Sequence, residues 1–203
     1  MVSFNLIRHG KTLWNLEKRL QGEADLPLST EGRLEVASWC AALGTIPLDL
    51  ILSSPMARAR ATAEILGDRL GLEVVMEEQL REQAFGRWQG KRLIDIRKKS
   101  PGTVEFQENL GWDFCPPGGE ARHGVLARSL TALKAAAVRF KKRHILVVTH
   151  NGVIKSLAYH ALGRSFLPGE KGVIRKGHLH RFSWDHGLVL EKLNAVNLNQ
   201  EEK

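Results

Sequence analysis

The chain has 203 residues, 43% of them hydrophobic and 26% charged, which excludes a disordered chain and suits one soluble domain with a full core. No run approaches the apolar length of a membrane span. Thirty Lys+Arg against 22 Asp+Glu leave a net charge of +8, which favours anionic partners without choosing between nucleic acid and a phosphate ester.

The opening residues, Met1 to Arg8, lack the cationic lead-in, apolar core and small-residue cleavage site of a signal peptide, and Val2 to Arg8 reads as a first strand. A loop with Gly22 and Pro27 leads to a helix opened by Ser29-Thr30-Glu31, with apolar residues at Leu34, Val36, Ala37 and Ala41. Leu48 to Leu52 is a second strand. Pro55 suits the first turn of a helix running to about Leu70, and Leu72 to Met76 is a further short strand. A helix over Leu93 to Lys99 stops at Pro101-Gly102, and 103–119 reads as mostly irregular. A long helix is expected from Glu120 to about Phe140. His144 to Thr149 is the clearest buried strand, followed by a helix from about Asn151 to Leu162. Gly172 to Val196 alternates and carries the hairpin signal Asp185-His186-Gly187.

Apolar, β-branched runs alternating with helical patterns predict an α/β fold in a single domain over 1–203. The basic runs Arg97-Lys98-Lys99 and Arg139-Phe140-Lys141-Lys142-Arg143 fall where helices end, where cations complement the helix dipole. Aromatic residues at 6% are too few for a base-stacking platform, and no nucleic-acid recognition motif is present. Cys40 and Cys115 form no CxxC pairing, so a zinc site and a disulfide framework are both disfavoured and reduced cysteines in a cytoplasmic chain are expected.

Two strands end alike, in Arg8-His9-Gly10 and in Thr149-His150-Asn151-Gly152. Ligands of open α/β sheets sit beyond the carboxyl ends of the strands, so His9 and His150 can share one site. Taken alone, either histidine could merely satisfy a loop carbonyl. Their neighbours Arg8, Thr12 and Asn15, and Arg58 on the helix after Ser53-Ser54-Pro55, add the donors a phosphoryl group needs, because a guanidinium fork matches phosphate oxygens. Arg60, two residues along that helix, points elsewhere.

The chain resembles the histidine phosphatase superfamily, also called phosphoglycerate mutase-like. The stretches that carry the resemblance are Arg8 to Asn15, Gln21 to Leu28, Ser53 to Glu64, Leu80 to Gly90, Pro117 to Glu120 and Val148 to Ile154, in the family's order over nearly the whole chain. The resemblance implies a three-layer α/β/α sandwich around a mostly parallel sheet. It also implies a metal-independent phosphomonoesterase without cofactor, acting through a phosphohistidine on a small-molecule phosphate ester. His9 would be the nucleophile, with Arg8, Arg58 and His150 forming the phosphate pocket and Glu82 acting as proton donor. Asn15, Thr12, Gln21 and Asn151 would contact substrate, and a lid-like segment would lie at about 90–120. Within the superfamily the pattern looks like the alpha-ribazole phosphatase and broad-specificity groups.

Other readings of the same residues stay open. Glu82 alone could be a surface carboxylate before a turn, and Thr12 could only cap its loop. His178 and His180 alternate on one strand face but have no third ligand nearby for a metal. His178 could still rim the pocket. Trp14, Trp88 and Trp112 are commonly packing anchors, although Trp112 lies in the covering region. Gln89, Asn151 and Ala121 depart from frequent family choices, which touches substrate rather than reaction type. A 2,3-bisphosphoglycerate-dependent phosphoglycerate mutase is the alternative enzyme, and a phosphoanion-binding module without catalysis is the alternative of another class. Monomer and homodimer are equally compatible with the sequence.

Overall fold

A computed structural model describes residues 1–199. Its centre is a six-stranded sheet of β1 (Val2–Arg8), β2 (Leu50–Ser53), β3 (Val74–Met76), β4 (His144–Thr149), β5 (His178–Trp184) and β6 (Leu188–Asn197), in the order β3-β2-β4-β1-β5-β6. The first four strands in that order run parallel, while β5 and β6 are antiparallel to their neighbours. The sheet is therefore mostly parallel, as expected.

Strand β4 explains why the sheet sits between two helical layers. Every residue from Ile145 to Thr149 is buried. Ile145 and Val147 face one apolar cluster, and Leu146 and Val148 face the other, the alternation that the pleat imposes. The first cluster takes Val125, Leu133 and Ala136 from α6 (Arg122–Arg139) and Val153, Ile154 and Leu157 from α7 (Asn151–Ala161). The second takes Val36, Trp39 and Leu43 from α2 (Thr30–Leu43) and Ala59, Ala63 and Leu66 from α3 (Ala57–Leu70). Each buried valine, leucine or isoleucine among them contributes about 1.5–3 kcal/mol.

Local signals place most boundaries. Ser29 caps α2, its Oγ accepting the Gly32 N–H at 3.0 Å. Gly71 ends α3 at φ +68°, a conformation glycine reaches without a Cβ penalty. The hairpin turns at Asp185-His186-Gly187 as the sequence signals, with the Asp185 N–H donating to the Gly187 carbonyl at 3.0 Å.

Several expectations need correction. Strands β2 and β3 begin two residues later than the apolar runs suggest, at Leu50 and Val74. The helix after Pro55 starts only at Ala57, because Met56 is still extended at ψ 136°. The helix expected from Glu120 begins at Arg122, because Glu120 is used elsewhere, as described below. The segment 103–119 is not mostly irregular. It contains α5 (Thr103–Asn109) and a 3-10 turn at Gly111–Asp113. Gly102 at φ +79° reverses the chain after α4 (Leu93–Lys99), so a new helix starts where the Pro-Gly pair suggested only a stop. A four-residue helix, α1 (Leu13–Leu16), was also not anticipated. The segment around α4 and α5 packs on a third apolar cluster of Trp88, Ile96, Val104 and Phe114.

Candidate active site

Strands β1 and β4 are adjacent and in parallel register, Arg8 opposite Thr149. The residues following each strand therefore emerge side by side. His9 and His150 lie with ring centroids 5.1 Å apart. The His9 N–H donates to the Thr149 carbonyl at 3.0 Å, so the ladder extends one step into the site.

The hydrogen bonds of His9 define its tautomer. Nδ1 lies 2.7 Å from the Gly10 carbonyl oxygen, which can only accept, so Nδ1 carries the proton. Arg58 Nε donates to Nε2 at 3.2 Å, which requires a lone pair there. Burial, reinforced by the charges of Arg8 and Arg58, holds the His9 pKa well below 6.5. The ring is a neutral imidazole at neutral pH, with an unprotonated Nε2 whose lone pair accepts from Arg58.

Arg58 is fully buried and aimed by its loop. Its Nη1 donates to the Ala24 carbonyl at 2.8 Å and its Nη2 to the Gly22 carbonyl at 2.9 Å. Burial lowers its pKa to about 10, so it keeps its charge at neutral pH. Thr62, one turn along α3, accepts the Gly10 N–H at 3.0 Å and donates to the Arg58 carbonyl at 2.7 Å, locking helix to loop.

Two buried nitrogens, Arg8 Nε and His150 Nδ1, have no hydrogen-bond partner among the described residues. Leaving such groups unpaired is costly, and both are suited to an anion. His150 Nε2 meets Ser54 Oγ at 2.8 Å. Burial, followed by the neighbouring charges of His9, Arg58 and Arg8, also depresses the His150 pKa well below 6.5.

Across the cavity stands Glu82, 8% exposed. Its Oε1 accepts the N–H groups of Gln83 at 2.9 Å and Gly152 at 3.1 Å. The loop before it is clamped by Arg128, whose Nη1 donates to the carbonyls of Gln79 and Arg81 at 2.6 Å and Nη2 to that of Glu82 at 3.1 Å. Glu120 holds Arg128 in turn, at 2.8 Å and 3.0 Å. Sequence reasoning passed over Arg128, which in sequence is one more basic residue on a long helix. The signal available was Glu120 in the Pro-Gly-Gly-Glu run, a carboxylate needing a partner.

His9, Arg8, Arg58 and Glu82 line a single cavity of about 340 Å³, together with Asn15, Gln21 and Asn151. Gln21 is nearly buried and its Oε1 is unpartnered among the described residues. His150 lies behind His9, fully buried. Thr12 is also fully buried and does not line the cavity. It caps α1 in a reciprocal box with Asn15, Thr12 N–H donating to Asn15 Oδ1 at 3.0 Å and Asn15 N–H to Thr12 Oγ1 at 3.3 Å. His178 lines a second cavity that also touches Arg8 and His9. Trp112 lies outside both, its Nε1 donating to the Arg164 carbonyl at 2.8 Å and its ring edge-on to Phe166. Arg60 is exposed near Glu64. The departure Gln89 ties the first loop, its Oε1 accepting the Glu23 N–H at 3.0 Å.

Cys40 and Cys115 are both free. Among the described residues no group of three or more His, Cys, Asp or Glu side chains is placed to hold a metal ion, and no helix is long and apolar enough to cross a membrane.

Residues 4–196 match the histidine phosphatase superfamily (branch 1). The chain is 36% identical over 162 residues to the glucosyl-3-phosphoglycerate phosphatase of Mycobacterium tuberculosis, covering 75% of this chain and 72% of that one. The fold is similar to the mycobacterial glucosyl-3-phosphoglycerate phosphatase solved with VO3, with a TM-score of 0.82 at 31% identity over 96% of this chain and 99% of that one. It is also similar to a phosphoserine phosphatase variant from Entamoeba histolytica solved with phosphoserine, with a TM-score of 0.82 at 25% identity over 98% of this chain and all of that one. The paired strand-end histidines, their arginines and the facing carboxylate thus belong to a chain that is a member of the histidine phosphatase superfamily.

Proposed function

We propose the following division of labour in this phosphomonoester hydrolase, which acts on a small phosphorylated metabolite through a phosphohistidine intermediate. His9 is the nucleophile. Its Nε2 lone pair attacks phosphorus and the P–O bond to the leaving group breaks, while the proton on Nδ1 stays with the Gly10 carbonyl. Arg8, Arg58 and His150 hold the equatorial oxygens, where charge gathers. Glu82, protonated, gives its proton to the leaving oxygen. As a carboxylate it then takes a proton from the water that cleaves the N–P bond, which restores both His9 and itself.

The observation that carries this reading is the state of His9, a neutral imidazole with one nitrogen pinned to a carbonyl and the other unprotonated, its lone pair accepting from Arg58. We assign the Ser54 hydroxyl, 2.8 Å away, as the donor to His150 Nε2. That leaves the His150 proton on Nδ1, the buried nitrogen without a partner among the described residues, for a phosphoryl oxygen to accept. Asn15, Gln21 and Asn151 border the leaving group, and Thr12 acts through Asn15 by fixing its rotamer. The segment at about 90–120 is a lid on a single domain spanning 1–203, with Trp88 and Phe114 as its seat. The unbridged cysteines support a reducing compartment, the cytoplasm.

The experiment is phosphate release from para-nitrophenyl phosphate with and without a chelator, coupled to trapping of the phosphate-labelled enzyme by an alkaline detergent quench, in which an N–P bond survives. Chelator-resistant turnover and an acid-labile label, both absent from His9→Ala, are expected. A label that persists in His9→Ala would place the nucleophile elsewhere.

A further inference from the structure

The cavity has a second cationic end. Arg122, at the start of α6, and Lys155, on α7, line the same space as His9 and Glu82, and nothing in the hydrolytic scheme uses them. Arg122 is held flat between two rings, its guanidinium carbon 4.0 Å from the Phe114 centroid and 4.5 Å from that of Phe166. Its Nη1 donates to the Gly111 carbonyl at 3.0 Å. Nε and Nη2 have no protein partner among the described residues, so one face of the fork remains free, the geometry that accepts a carboxylate through two parallel bonds. Lys155 makes no hydrogen bond or ion pair among the described residues.

Retaining two cations close together in a half-buried place is unfavourable unless an anion joins them. Burial lowers the Arg122 pKa to about 10, and burial followed by the charge of Arg122 lowers that of Lys155. Lys155 lines the cavity together with Arg122, and Arg8, His9 and Glu82 belong to the same lining. Glu108, which lines the same cavity, is engaged by Arg97 at 3.3 Å, and Glu82 is held by the Gln83 and Gly152 N–H groups.

We propose that Arg122 and Lys155 form a second anion subsite, and that the preferred substrates are phosphomonoesters carrying a carboxylate. The proposal rests on the hydrolase reading of the same cavity. The phosphoryl group docks at His9, and the carboxylate reaches the clamped guanidinium, with Lys155 of the same cavity lining as its second cation.

The test uses two pairs of compounds that differ at the carboxylate: O-phosphoserine against phosphoethanolamine, and 3-phosphoglycerate against glycerol 3-phosphate. Wild-type enzyme is expected to favour the carboxylate member of each pair by about tenfold or more in kcat/KM, as suits a charge-assisted fork. In Arg122→Gln and in Lys155→Met that ratio is expected to fall toward unity. If Arg122→Gln fails to fold, Lys155→Met decides alone. Hydrolysis of all four compounds at similar efficiency, or an unchanged ratio in the variants, would overturn the subsite and leave the hydrolase reading standing. Failure to hydrolyse any phosphomonoester, para-nitrophenyl phosphate included, would overturn both.

Discussion

Arg58 Nε donates to His9 Nε2 across 3.2 Å, so the guanidinium rests on the very lone pair proposed to attack phosphorus. The contact orders the imidazole and keeps it from being protonated. A phosphoryl group arriving at Nε2 must take over that N–H, which converts a bond to the nucleophile into a bond to a phosphoryl oxygen. Arg58 cannot drift meanwhile, because its other two nitrogens are held by Gly22 and Ala24.

Arg58→Lys therefore loses more than a charge preference. A single ammonium nitrogen cannot span the three separate positions from which Nη1, Nη2 and Nε reach Ala24, Gly22 and the phosphoryl oxygen, and the loss of a transition-state donor of this kind costs about 10²–10³-fold. We expect kcat to fall by that order with a smaller change in KM. Steady-state kinetics on para-nitrophenyl phosphate would show it, and a variant within a fewfold of wild type would remove Arg58 from the chemistry.

Ser54→Ala probes the tautomer of His150. Without the hydroxyl, Nε2 of the ring loses its buried partner, and the proton can settle on either nitrogen. We expect a loss of about tenfold in kcat/KM together with destabilisation of about 1–3 kcal/mol, the usual consequence of an orphaned buried polar group. Ser54→Thr keeps the hydroxyl and is expected to recover most of the activity. Equal damage in both variants would point to packing rather than proton placement.

Acid should destabilise the fold through its histidines. His9 and His150 are held well below 6.5, chiefly by burial, and burial lowers His180 to about 4. The unfolded chain binds these protons first as pH falls. Their contribution is therefore fully present above 6.5 and is lost as pH drops below it, each group adding up to about 1.4 kcal/mol per pH unit to the slope. Urea midpoints measured from pH 7.5 to 4.5 should decline on the acid side, and His180→Phe should flatten part of that decline. Activity should share one feature: no ionisation of free enzyme near 6.5 in kcat/KM, because His9 is already neutral there.

Much of this site could be read from the sequence because strand ends are where chemistry collects in a parallel sheet. His9 and His150 follow adjacent strands, and Arg58 sits in the first turn of the helix that follows another. What stayed hidden depends on three-dimensional approach. Arg128 matters through three carbonyls it gathers from 79–82, which no spacing reveals. Arg122 becomes a rigid donor only because Phe114 and Phe166, more than fifty residues apart, close on its two faces. The helix at Thr103–Asn109 escaped because proline and glycine just before it read as a stop, whereas a left-handed Gly102 serves equally to start a new axis.

Arg128 and Glu120 test whether the proposed proton donor depends on its loop. Arg128→Lys keeps the charge but cannot bond three carbonyls and a carboxylate at once. Glu82 should then lose its alignment while the phosphate pocket remains intact. We expect kcat to fall by about tenfold or more on an alkyl phosphate, whose poor leaving group needs the proton. The loss should be smaller on para-nitrophenyl phosphate, whose leaving group does not. A uniform loss on both substrates would mean general disruption.

Gly152→Ala asks the same question from the other side. A Cβ at this position would overlap Glu82 Oε1 and stand 3.3 Å from its Cδ, a tight contact. The backbone here belongs to the first turn of α7 and cannot retreat without disturbing Val153 and Ile154, which are core residues. The carboxyl group must therefore move, breaking its bond with the Gly152 N–H. The expected signature is the leaving-group dependence of Arg128→Lys, with the phosphohistidine still forming from para-nitrophenyl phosphate but decaying more slowly, because the base for the second step is displaced. Rapid-quench measurement of the labelled intermediate would reveal its accumulation. An intermediate that turns over at the wild-type rate in Gly152→Ala would mean that the water is activated by some group other than Glu82.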